Sequence, residues 1–93
     1  MITHVVMMKL KDKGDADEVA RRLRALPGKI AEIRDYVVGL DEIHGPRAWD
    51  VVLVSRFDSY ETLQTYIQHP VHQEVVAYLD QACEQRASVD YSG

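Results

Sequence analysis

Trp49-Asp50-Val51-Val52-Leu53-Val54-Ser55-Arg56-Phe57 is the most strand-like segment of the chain, rich in β-branched and aromatic residues and free of glycine and proline. Side chains alternate across a strand, so Trp49, Val51, Leu53 and Phe57 are expected on one side, with Val52 and Val54 on the other. Both faces of that strand are then apolar, and each needs cover from water. Upstream, Asp35 to Leu40 reads as a second strand, and His44-Gly45-Pro46 between the two supplies the turn chemistry of a hairpin. Lys29 to Arg34, just before it, is short and reads as no more than a helical turn.

At the start of the chain, Ile2 to Leu10 predicts a strand that sends Ile2, His4, Val6, Met8 and Leu10 to one face and Val5 and Met7 to the other. Asp15 and Glu18 have the spacing of a capping box, and Val19, Leu23 and Leu26 then recur at helical intervals until Pro27-Gly28. Downstream of the opening segment, Asp58 or Ser59 can cap a second helix, with Glu61 completing a box to Asp58 and Leu63, Tyr66 and Ile67 on one side. His69-Pro70 breaks or kinks that helix, because proline disfavours the α conformation in the residue before it and suits the first turn of a renewed helix. His72, Val75, Val76, Leu79 and Cys83 keep the helical period beyond the break, and Arg86 to Tyr91 returns to a strand with Ala87, Val89 and Tyr91 on one side.

The order βαββαβ is that of a ferredoxin-like α+β fold, a four-stranded antiparallel sheet with its helices on one face. At 93 residues the chain is expected to be one domain over 1–93. Helices on one face leave the Val5, Met7, Val52 and Val54 side bare, and an exposed apolar patch of that kind is unusual on a monomer. A homodimer through the sheet face is therefore expected.

Eleven Lys and Arg against fifteen Asp and Glu give a net charge of −4, the wrong sign for binding phosphate backbones, so no nucleic acid partner is expected. No apolar run approaches the ~20 residues that span a bilayer, so no membrane insertion is expected either. With a lone cysteine, Cys83, and no basic segment leading into an apolar run at the amino end, a cytoplasmic protein is expected. Cys83 lies on the buried stripe and reads as inert packing.

The residues able to do chemistry gather around the helix break: Tyr66, His69 and His72. His72 shares a stripe with Val76 and Leu79, so its imidazole should face the sheet, where burial favours the neutral base. His4 faces an apolar layer of the first strand; if that layer lies beneath the second helix, His4 and His72 oppose each other across a pocket with Tyr66 on its wall. Such a trio can remove a proton beside a carbonyl while the phenol steadies the oxyanion, with no cofactor. His69 is expected to cap or orient the kink. A metal site is not expected, since Pro70 separates His69 from His72 and no further ligand stands at suitable spacing. The competing reading makes His4, Tyr66 and His72 a hydrogen-bonded core network without activity. A ligand pocket should then be an open space of ~300 Å³ or more, and a structural network should be filled by its own side chains.

Ile2-Thr3-His4-Val5-Val6, Leu26-Pro27-Gly28-Lys29-Ile30, Tyr66-Ile67-Gln68-His69-Pro70-Val71-His72 and Val89-Asp90-Tyr91, taken in order, resemble the stress-responsive A/B barrel (Dabb) family from end to end. The Tyr-x-x-His-Pro-x-His element carries most of that resemblance. What it implies is a ferredoxin-like protomer that forms a dimeric α+β barrel. Many members of the family have no assigned activity, whereas one plant branch, olivetolic acid cyclase, closes a linear polyketide by aldol condensation without a cofactor. By resemblance, the catalytic Tyr and His of that branch fall on Tyr66 and His72 and its amino-terminal pocket His on His4, while a further His of the branch falls on Val51. The resemblance thus implies a small apolar or aromatic carbonyl compound as ligand without fixing a polyketide.

Overall fold

Four strands, β1 (Ile2–Leu10), β2 (Asp35–Leu40), β3 (Val51–Phe57) and β4 (Cys83–Ser92), pair antiparallel in the order β2-β3-β1-β4 in a computed structural model that describes residues 1–93. Their register sets Val5 opposite both Val54 of β3 and Val89 of β4. Three α-helices, α1 (Ala16–Arg24), α2 (Tyr60–Gln68) and α3 (Pro70–Ala82), cover one face. Alternation explains which face: Met8, Leu10, Val51, Leu53 and Phe57 are buried against Val19 and Leu23 of α1, Leu63 and Tyr66 of α2, and Val75 and Leu79 of α3. Burying each such side chain contributes on the order of 1.5–3 kcal/mol before entropy is counted, so this layer dominates the stability of the fold.

The opposite face stays bare. Val37 is 56% exposed and Val89 63%, with Met7 and Tyr91 also exposed and Val5, Val52 and Val54 half-buried. β4 lies at the sheet edge, and only its first residue, Cys83, is buried. The helices thus leave an opening along β1 and β4 on their own side of the sheet.

Several local expectations change. Asp12, not Asp15, caps the entry to α1: its carboxylate accepts the Gly14 N–H at 2.9 Å and starts a 3₁₀ turn over Lys13–Asp15. Asp15 makes no side-chain cap, and Glu18 turns to Arg21 and Arg22, one helical turn away. That helix ends at Arg24, ahead of Pro27-Gly28; Leu26 lies in the turn beyond, its carbonyl accepting the Ile30 N–H at 3.0 Å. β3 begins at Val51, since the Asp50 carboxylate is drawn to the Leu10 N–H and the Lys13 ammonium at 2.7 and 2.6 Å. Trp49 therefore leaves the strand; Lys9 stands over its ring, and Met7, Gly39 and Val52 of the bare face share a hollow with it and Val51, so it does not join Leu53 and Phe57 in the layer under the helices. Cys83 opens β4 instead of closing α3 and stays buried, its thiol pushed up by that burial. At the start of α2, Ser59 forms the capping box with Thr62, while Asp58 pairs with Arg34.

Candidate active site

The break between α2 and α3 shapes the site. Pro70 has no N–H, so the Tyr66 carbonyl takes the His69 N–H at 3.2 Å instead. His69 adopts an extended conformation that ends α2 and caps α3, its Nδ1 accepting the Val71 N–H at 3.1 Å. In an unbroken helix that Val71 N–H would serve the Ile67 carbonyl four residues back. Freed from it, the Ile67 carbonyl accepts from Nδ1 of His72 at 2.9 Å and from Nε2 of Gln73 at 2.7 Å. The expected role of His69 as a cap is thus met, and the same geometry supplies His72 with a partner.

A carbonyl only accepts, so Nδ1 of His72 carries the proton and Nε2 keeps its lone pair. Burial holds the His72 pKa below the ordinary histidine value; the bond to Ile67 works against that, and His4 and His69 add to it. The ring lies 4.3 Å from that of Tyr66, centroid to centroid, and the Tyr66 and His4 rings are 6.3 Å apart.

Three sequence candidates, His4, Tyr66 and His72, line one cavity of about 240 Å³ between the α2–α3 layer and strands β1 and β4. Val6, Leu53, Val76 and Leu79 form its apolar wall. It is smaller than the ~300 Å³ typical of pockets for drug-sized ligands, yet it is open space with room for about eight waters at ~30 Å³ each. A ligand for it is correspondingly small.

Two further residues escaped the sequence reading. Asp90 of β4 faces His4 of β1 directly across the sheet, and its carboxylate pairs with Nδ1 of His4. The available signal was the alternation in β4, which puts Asp90 on the side opposite Val89 and Tyr91; identifying its partner required the strand register. Tyr36 of β2 is the second. Its hydroxyl lies 3.2 Å from that of Tyr66, and burial pushes the pKa of both phenols up. For Tyr66 to donate a proton to a ligand, Tyr36 has to be the donor within that pair. Nothing in the sequence pattern marked Tyr36 out from other strand tyrosines. No group of three or more His, Cys, Asp and Glu side chains is arranged to hold a metal ion, and both His69 and His72 use Nδ1 within the chain.

The sheet order and the single helical layer define a ferredoxin-like protein with a histidine-lined cavity. Residues 2–93 match the Stress responsive A/B Barrel Domain (Dabb), and the chain belongs to that family. An uncharacterized protein of Streptomyces coelicolor is 34% identical over 82 residues, covering 83% of this chain and 84% of its own. Among solved structures, a dimeric ferredoxin-like protein of unknown function from Bacteroides fragilis is 33% identical with a TM-score of 0.89, over 99% of this chain and 95% of that one. A hydroxynitrile lyase from Passiflora edulis superposes with a TM-score of 0.82 over 97% of this chain and 90% of its own; at 21% identity the likeness is one of fold.

Proposed function

We propose that the cavity binds a small apolar or aromatic carbonyl compound and that His72 acts there as a general base without a cofactor. One observation carries this reading: the Ile67 carbonyl fixes the His72 proton on Nδ1, so the lone pair of Nε2 is held ready in an apolar space. Proton removal beside the carbonyl builds charge on its oxygen, and Tyr66 is the phenol positioned to hydrogen-bond that oxyanion. His4, oriented through Nδ1 by Asp90, offers Nε2 as the second polar group, and the proton taken by Nε2 of His72 returns from the same atom. An aldol-type ring closure needs the same steps, with the carbanion attacking a second carbonyl of the same molecule.

Acetophenone in heavy water tests the reading. The wild-type protein is expected to speed exchange of its methyl hydrogens for deuterium, followed by proton NMR, and His72→Ala is expected to return the rate to that of buffer. Equal rates with and without His72 would remove it from the chemistry. No acceleration by the wild type would instead favour a structural histidine and tyrosine network.

We infer further that the chain works as a homodimer through the bare sheet face. The apolar character of that face supports this, as does the dimeric state of the Bacteroides fragilis relative.

A further inference from the structure

Arg86 is the only cationic side chain on the cavity wall. It stands opposite Met8 in the β1–β4 register, while the His4–Asp90 pair stands four residues along the same face. At ~3.3 Å per residue those positions are about 13 Å apart along the strands, so the cavity is long and carries different chemistry at its two ends. One end holds the imidazoles of His4 and His72. At the other is a guanidinium whose Nη2 bonds the Asp80 carboxylate in the last turn of α3. The rest of that planar fork has N–H groups to offer, and Ser88 lies beside it on the same strand face, between Arg86 and Asp90. Apolar Val6, Leu53 and Val76 line the same cavity.

We propose that the ligand is an oxo acid, a compound with a carboxylate and a carbonyl separated by a short apolar or aromatic body. Arg86 takes the carboxylate and the carbonyl faces His72 and His4. This rests on the carbonyl-binding reading above and adds the charge of the substrate to it. An arginine suits the task because its fork matches both oxygens of a carboxylate, and charge-assisted bonds of this kind strengthen in a half-buried mouth. Asp80 competes for the same guanidinium, and its side chain is 58% exposed, so it can swing to water when a ligand carboxylate arrives.

Two aromatic ketones separate the alternatives: 4-acetylbenzoate, which carries the carboxylate across the ring from its carbonyl, and acetophenone, which lacks it. Binding is read from the imidazole C–H shifts of His4 and His72 during titration. 4-Acetylbenzoate is expected to bind the wild type about tenfold more tightly than acetophenone, the size of one hydrogen bond to a charged group. Arg86→Gln should abolish that preference and leave acetophenone binding unchanged. Asp80→Asn, by releasing the guanidinium, should widen it, a gain that a damaged fold cannot imitate. Equal affinity for the two ketones, or an equal loss of both in Arg86→Gln, overturns the oxo-acid assignment and leaves the carbonyl reading standing. If neither ketone shifts the histidine signals, both readings fall.

Discussion

His72 owes its chemical state to a carbonyl five residues earlier in the chain. Removal of the imidazole in His72→Asn breaks its bond to Ile67, but Gln73 still serves that carbonyl, so the expected stability cost is modest, about 1 kcal/mol. The pH dependence is sharper. Burial depresses the His72 pKa in the folded protein below the ordinary 6.5, so near and below that pH the unfolded chain binds more protons than the folded one. Stability from this group is therefore complete above about pH 6.5 and is lost as pH falls through the lower folded value. Urea unfolding followed from about pH 8 to about pH 5 should show a steeper acid decline for wild type than for His72→Asn; parallel curves would mean that burial does not act on this imidazole. Tyr36→Phe addresses the second phenol. It leaves the buried Tyr66 hydroxyl without its partner at 3.2 Å, and a loss of about 1–3 kcal/mol is expected by the same measurement.

The α2–α3 break is what frees the Ile67 carbonyl. Pro70→Ala restores an N–H and lets the backbone close into one helix, in which Val71 returns to Ile67 and His72 loses its acceptor. The expected result is unchanged or slightly raised stability together with a mixture of His72 tautomers, read from imaidazole ¹⁵N shifts. A single unchanged tautomer would show that something other than the break fixes it. Much of this element was legible beforehand, because the missing proline N–H and the capping histidine are local properties of His69-Pro70-Val71-His72. The donor-acceptor exchange at Ile67 was not, since it follows from which backbone groups the break leaves free. Elsewhere, local signals misled where two residues could do one job: Asp12 displaced Asp15 as the cap before α1, and Thr62 rather than Glu61 completed the box before α2.

For the molecule as a whole, the bare sheet face sets the expected assembly. Val54 lies opposite Val5, which lies opposite Val89, so one row of valines crosses β3, β1 and β4 on that side. A lysine in that row has its charge desolvated on pairing, so Val54→Lys is expected to give the mass of one 10.6 kDa chain where wild type sediments as two. Circular dichroism should show the sheet retained, because Val54 points away from the helical core. A wild-type protein sedimenting as one chain would remove the dimer.

The βαββαβ order, the side on which the strand residues other than Trp49 fall and the break at Pro70 were already determined by the amino-acid sequence, since they depend on neighbours within a few residues and on a repeat of 2.0 or 3.6. Only the tertiary structure decided that Asp90 meets His4, that Tyr36 meets Tyr66 and that Arg86 shares a cavity with His72. Each of those pairings joins strands or helices far apart in the chain, and strand register together with helix placement is a property of the packed whole, to which no local pattern gives access.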